Sequence, residues 1–73
     1  MIYLTLEILR IDGMRSEGDQ RAILAAVRVL PGVRRATANL ADLTLRVERE
    51  DTVGLAVIIA AIQSIGYSAA VLV

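Results

Sequence analysis

The oxygen-bearing side chains with the best spacing for chemistry are crowded between Asp12 and Gln20. This segment contains the carboxylates of Asp12, Glu17 and Asp19 and the hydroxyl of Ser16. Carboxylate oxygens suit a hard divalent cation, but hard-cation sites usually need about six oxygens. We therefore favour a solvated acidic loop in which Glu17 and Asp19 stabilise the positive end of a helix.

Cysteine and histidine are both absent from the 73 residues. Their absence removes thiolate nucleophiles, disulfides, imidazole bases and the usual soft or borderline metal ligands. The side chains that most often act as nucleophiles, general bases and soft-metal ligands are therefore missing. We expect no resident cofactor and no enzymatic activity.

The charge balance argues against a nucleic-acid partner. Eight basic and eight acidic residues cancel, so net charge gives no pull toward nucleic acid or anionic lipid. Base stacking on a sheet also needs aromatic side chains. The sequence has no Phe or Trp, and its only tyrosines are Tyr3 and Tyr67.

Length and hydropathy indicate one small packed domain. A chain of 73 residues supports a single core, and 56% hydrophobic against 22% charged residues excludes a disordered tail. We expect one domain over residues 1–73. The uncharged segment 52–73 raises the question of a membrane span, but Gly54, Gln63, Ser64 and Gly66 interrupt it. We expect no membrane insertion, no signal peptide and a cytoplasmic location.

The pattern of apolar residues predicts six elements. A strand over residues 2–11 is followed by a helix that Ser16 caps and Pro31-Gly32 ends. Alternation over residues 33–40 and 43–48 predicts a hairpin. A second helix, capped by Asp51 or Thr52, ends at Gly66 and precedes a last strand over residues 67–73.

This order predicts an α+β, ferredoxin-like βαββαβ sandwich, in which two helices cover one face of a four-stranded antiparallel sheet. The first strand is apolar on both faces, so we expect it to be covered on two sides or bulged. The same apolar residues, beside the last strand, predict a homo-oligomer. Arg34 and Arg35 partly protect one edge strand, so we expect pairing through the tail strand or through the open face at Ile2, Leu4, Leu6 and Ile8.

Four fragments of the sequence resemble a known family in order and spacing: Ile11-Asp12-Gly13-Met14, Leu30-Pro31-Gly32-Val33, Asn39-Leu40 and Ala61-Ile62-Gln63-Ser64-Ile65-Gly66-Tyr67. Together they resemble the heavy-metal-associated domain. Such domains are the soft-metal-binding modules of copper chaperones, mercury-binding proteins and the cytoplasmic extensions of P-type metal ATPases.

The family binds metal at a Gly-Met-Thr-Cys-x-x-Cys segment, whose two thiolates hold Cu(I), Zn(II) or Hg(II). Gly13 and Met14 match this segment, Arg15 replaces the threonine, and Ser16 and Asp19 stand at the two cysteine positions. A hydroxyl and one carboxylate do not make a closed soft-metal site. The resemblance therefore implies that the metal positions Ser16 and Asp19 are inactive, and that Met14 packs in the core beneath the loop.

The resemblance also implies a setting in a metal-transport or metal-resistance system. We expect the chain to keep docking or assembly, for example with a partner domain of a metal ATPase, and not to bind the soft metal ion of the parent family. Tyr67 is expected to pack near the loop with its hydroxyl toward solvent or a backbone group. The cysteines are absent either by natural degeneration or by engineering, and the sequence leaves both open.

Two other functions of the same fold class stay open at this point. The first is an ACT-like regulatory or assembly domain, which would bind amino acids at a dimer interface. The second is an acylphosphatase-like enzyme, which needs a phosphate-cradling loop and an asparagine that orients water. Asn39 could be that asparagine, but Glu17 in the loop would repel phosphate, so we rank the enzyme last.

Overall fold

The computed structural model describes residues 3–72. Its elements, in chain order, are β1 (Thr5–Asp12), α1 (Glu17–Arg28), β2 (Val33–Asn39), β3 (Thr44–Arg49), α2 (Leu55–Ser64) and β4 (Ser68–Val71). The strands form one antiparallel sheet in the order β2-β3-β1-β4. The predicted ferredoxin-like βαββαβ architecture is confirmed.

The core lies between the two helices and one face of the sheet. In β1, Leu9 and Ile11 are fully buried while Arg10 between them is exposed, as the two-residue period of a strand requires. Leu45 and Val47 repeat this pattern in β3. The helices bury residues four positions apart, Ile23 with Val27 and Ile58 with Ile62.

The other face of β1 is open, contrary to expectation. Among residues 3–72, no element covers Leu6 on that face, and β1 pairs with β3 without a break in register. The bulge lies instead in β2, between Val33 and Arg35. Within the described residues the strand begins at Thr5, after Tyr3 and Leu4, and the predicted start at Ile2 lies outside those residues.

The helix boundaries are partly as predicted. Ser16 caps α1, and the helix ends before Pro31-Gly32. The prediction that Asp51 or Thr52 caps α2 was wrong, because Gly54 is the N-cap and makes no side-chain hydrogen bond. Val53 explains the later start: its side chain is buried in the core, so residues 51–53 form a turn ahead of the helix.

Neither helix within residues 3–72 combines the length and apolar composition needed to cross a membrane.

Candidate functional site

The loop between β1 and α1 carries the candidate residues, and Gly13 sets its path. The φ angle of Gly13 is +99°, in a region that L residues with a side chain rarely adopt. A Cβ atom at this position would lie 3.3 Å from Cδ1 of the Tyr67 ring. Glycine therefore lets the loop turn close against the segment between α2 and β4.

Met14 points away from the loop surface. Its side chain is 1% exposed and belongs to the buried cluster that includes Leu9, Ile23 and Ile62. The thioether is therefore surrounded by aliphatic groups and is not presented to a ligand at the surface.

Ser16 is exposed at the start of α1, where its side chain stabilises the helix. Its extended backbone conformation is that of an N-cap residue, and Oγ accepts a hydrogen bond from the Asp19 N–H at 3.1 Å. The Gln20 N–H donates to the Ser16 carbonyl at 3.0 Å. The hydroxyl thus satisfies one of the helix N–H groups that lack a partner in the preceding turn.

Asp19 uses both carboxylate oxygens within the protein. Oδ2 accepts a hydrogen bond from the Arg15 N–H at 2.9 Å, and Oδ1 accepts one from the Tyr67 hydroxyl. The Ser16 contact is the one that a capping box makes, but the side chain of the third helical residue, Asp19, accepts from the N–H of Arg15, one residue before the cap, instead of from the cap itself. The carboxylate therefore joins the start of α1 to the segment before β4.

The hydrogen bond between Asp19 and Tyr67 shifts the pKa values of both side chains. The Tyr67 hydroxyl, followed by the Arg15 N–H, lowers the pKa of Asp19 from its ordinary value of 3.8. The same contact raises the pKa of Tyr67 from its ordinary value of 10.0, because the hydroxyl donates to an anion. Asp19 is therefore ionised and Tyr67 protonated over the whole neutral range.

The structure thus brings Ser16 and Asp19 together and adds Tyr67, which sequence reasoning placed differently. The hydroxyl of Tyr67 was expected to reach solvent or a backbone group, and instead it binds the Asp19 carboxylate. Contacts 48 residues apart leave no local signal. The Gly66-Tyr67 pair was the available clue, because it placed the ring near the loop but did not identify its partner.

The donor set at this loop consists of oxygen atoms. Asp12 and Glu17 are exposed, and within residues 3–72 no three acidic side chains are grouped as metal ligands. Soft cations prefer thiolate or thioether sulfur, and the one sulfur atom in the loop, on Met14, is buried. The arrangement is suited to fixing the loop and poorly suited to holding a soft ion.

Comparison with known proteins gives a consistent result. The profile of the heavy-metal-associated domain matches residues 8–68. The CopZ metallochaperone is 28% identical, with a TM-score of 0.87, over 90% of this chain and 100% of that one. A putative copper-ion-binding protein from Bacillus anthracis is also 28% identical, with a TM-score of 0.90, over 96% of this chain and 100% of that one.

A third solved structure is similar to the same degree. The N-terminal domain of PacS from Synechocystis PCC6803 is 26% identical, with a TM-score of 0.86, over 94% of this chain and 98% of that one. None of the curated proteins is similar enough to count as a match.

Proposed function

The chain belongs to the heavy-metal-associated domain family, and from that premise we propose that it is a non-enzymatic, metal-free docking or assembly module of a cytoplasmic metal-transport or metal-resistance system. One observation supports the proposal. The side chains of Ser16 and Asp19, which the resemblance aligns with the two family cysteines, are both engaged in hydrogen bonds within the chain.

Metal binding at this loop would have to compete with those bonds. A soft cation gains little from a hydroxyl and a carboxylate, because it prefers polarisable sulfur ligands. To coordinate the ion, Asp19 would also have to give up the Arg15 N–H or the Tyr67 hydroxyl, both of which favour its present position. Each consideration supports a loop that does not take up the cargo of its family.

Docking is the part of the parent function that the scaffold can retain. The similar structures include the CopZ metallochaperone and the N-terminal domain of PacS. Their folds are similar to this one over at least 90% of this chain, which supports a scaffold that presents its loops from the same elements. We infer that the partner is a protein of the same metal system, such as a domain of a metal ATPase.

The test is a titration with Cu(I) under reducing conditions, in which isothermal calorimetry measures the binding. The unmodified chain is expected to show no stoichiometric submicromolar binding. The double variant Ser16→Cys, Asp19→Cys is expected to bind tightly, because the loop already has the family's path and lacks only the thiolates. Each single variant should bind much more weakly than the double variant.

Two results would contradict the proposal or its basis. Tight stoichiometric Cu(I) binding by the unmodified chain would show that the site is active. A double variant that folds but does not bind would show that this loop differs from those of the family in more than its ligands. Asn39→Cys with Asp42→Cys is the matched control, since it places two thiols at the same spacing at the end of β2 and in the turn that follows it.

A further inference from the structure

Three arginines line a single open cavity beside β2. The cavity has a volume of about 450 Å³, which lies within the range of sites that hold small molecules. Its lining consists of Arg28, Val33, Arg34, Arg35, Ala36 and Thr37. No acidic residue from the described part of the chain belongs to this lining. The charged groups that face the cavity are therefore all positive.

A bulge in β2 brings two consecutive arginines to this cavity. In a regular strand, Arg34 and Arg35 would point to opposite faces of the sheet. The register of β2 against β3 shifts between Val33 and Arg35, so Arg34 is the extra residue. Both arginines are exposed and both line the cavity, whereas Ala36, the next residue, is buried. Bulges commonly redirect side chains in this way, so the irregular strand assembles the basic lining.

Contacts within the chain hold two of the three guanidinium groups in place. Arg28 Nη2 donates to the Ala36 carbonyl at 2.9 Å, and Arg34 Nε lies 2.9 Å from Glu50 Oε2. A guanidinium group has five N–H donors, so each of these two arginines keeps donors for a ligand. Side chains that are already held lose less conformational freedom when a ligand binds. The cavity is in this respect prepared for an anion.

The acidic residues nearby compensate this positive charge only in part. Glu50 is paired with Arg34 and does not line the cavity. Glu48 lies opposite Arg35 on β3. Among residues 3–72, however, no carboxylate oxygen lies within 4.0 Å of a guanidinium nitrogen of Arg28 or Arg35. Two of the three arginines are therefore available to an external anion.

We propose that this cavity binds the phosphate groups of a small phosphorylated molecule. The planar guanidinium group presents paired N–H donors that match two phosphate oxygens. A diphosphate carries enough charge and enough acceptor oxygens to contact several arginines at once, whereas a single carboxylate carries one charge and two oxygens. The Thr37 hydroxyl can donate to a further oxygen.

The shape and charge of the molecule favour a small ligand over a nucleic acid or a membrane. Those larger partners present many charges, and binding to them depends on an extended basic surface. This chain has a net charge of zero, and the arginines in question surround one concave site. Arg28 lies at the end of α1, whereas the loop with Ser16 lies at its start. Binding here goes beyond the proposed docking function and does not depend on it.

The test is a titration of the chain with inorganic pyrophosphate, followed by NMR of the backbone amides. We expect saturable shifts at Arg35, Ala36 and Thr37, and no comparable shifts at Ser16 or Asp19. Sodium chloride at the same ionic strength should not reproduce this pattern. Inorganic phosphate should bind more weakly than pyrophosphate, because it has fewer charges and oxygens. Vesicles of phosphatidylglycerol, which present phosphate at a lipid surface, should not bind the chain.

Matched substitutions separate this cavity from general attraction between charges. Arg28→Gln and Arg35→Gln should each raise the Kd for pyrophosphate about two- to five-fold, the effect of one exposed charge contact. Arg21→Gln removes the same charge from an exposed arginine of α1 that does not line the cavity, and it should leave the Kd unchanged. Glu48→Gln should lower the Kd, because it removes the carboxylate opposite Arg35.

Four results would each overturn the proposal: no saturable binding at millimolar pyrophosphate, shifts that sodium chloride reproduces, binding to the vesicles without binding to pyrophosphate, or an equal loss of affinity in Arg21→Gln. The dispersion of the NMR spectra shows whether each variant folds. Arg28→Gln also removes a hydrogen bond to the Ala36 carbonyl, so the exposed Arg35 provides a second variant that keeps the test decisive.

Discussion

The Asp19 carboxylate makes different contacts from those of the thiolate that we propose stands at this position in the family. Cysteines at positions 16 and 19 would both lie at the start of α1. A metal bound by both would therefore link residues of the same helical turn. Asp19 instead bonds to the backbone of Arg15 and to Tyr67, which comes from the segment between α2 and β4. A local contact is thereby replaced by one that connects distant parts of the chain.

Removing the Tyr67 hydroxyl should be visible in the titration of Asp19. In Tyr67→Phe, we expect the pKa of Asp19 to rise toward 3.8, because the contact that lowers it most is lost. Carboxyl chemical shifts followed against pH by NMR measure this directly. Tyr3→Phe is the control, since Tyr3 is exposed and makes no hydrogen bond within residues 3–72. An equal shift in both variants would contradict the assignment.

The same pair predicts how stability depends on pH. The folded pKa of Asp19 is lowered, so its contribution is present above 3.8 and is lost as pH falls through the folded pKa. The folded pKa of Tyr67 is raised, so its contribution is present below 10.0 and is lost as pH rises through the folded pKa. The difference in unfolding free energy between the unmodified chain and Tyr67→Phe should be constant between these limits and shrink outside them. Urea unfolding at a series of pH values tests this.

At the scale of elements, turn geometry decides where helices and strands can end. Gly32 and Gly66 follow the two helices, and their φ angles of +94° and +93° are nearly equal. Their surroundings differ. A Cβ at Gly32 would lie 2.8 Å from Thr52 Oγ1 and 2.9 Å from Val53 Cγ1, whereas nothing lies within 4 Å of one at Gly66. The turn after α1 is packed against the turn before α2, whereas the space beside Gly66 in the turn after α2 is open.

This contrast provides a matched pair of substitutions. Gly66→Ala should lower the unfolding free energy by about 1–2 kcal/mol, the usual backbone cost of a side chain in this conformation. Gly32→Ala should cost about 1–3 kcal/mol more, because the neighbouring side chains must also move. Urea unfolding of the two variants measures both values. Equal losses would mean that Thr52 and Val53 can shift freely.

The sequence predicted the elements well where the signal was local. The alternation of Leu9 and Ile11 and the four-residue spacing of Ile58 and Ile62 follow directly from strand and helix periods. The cap of α2 was missed because Val53 is drawn into the core, which overrides the preference of Thr52 for a cap position. The hydrogen bond from Gln20 Nε2 to the Ala38 carbonyl was missed for a related reason, since the two residues lie on different elements.

For the whole molecule, the side chains at positions 16 and 19 should determine whether Cu(I) changes the stability of the fold. The double variant Ser16→Cys, Asp19→Cys loses the Ser16 and Asp19 side-chain bonds, so without metal it should unfold at a lower temperature than the unmodified chain. With excess Cu(I), its melting temperature should rise, because a ligand that binds only the folded state stabilises it. The unmodified chain should melt at the same temperature with and without Cu(I). Thermal unfolding of both proteins, each with and without Cu(I), tests whether the ion stabilises the double variant and leaves the unmodified chain unchanged.

The hydrogen bonds of Asp19 have a further consequence for information flow in a cell. The groups that fix this loop belong to the chain itself, so under the proposed metal-free function the shape of the loop would not depend on the supply of transition metals. A protein that recognises the loop would meet the same surface under starvation and under excess. The amount of this domain bound to such a protein would then depend on the concentration of the domain and not on the concentration of metal. Relatives that carry metal would compete with it for the same binding surface.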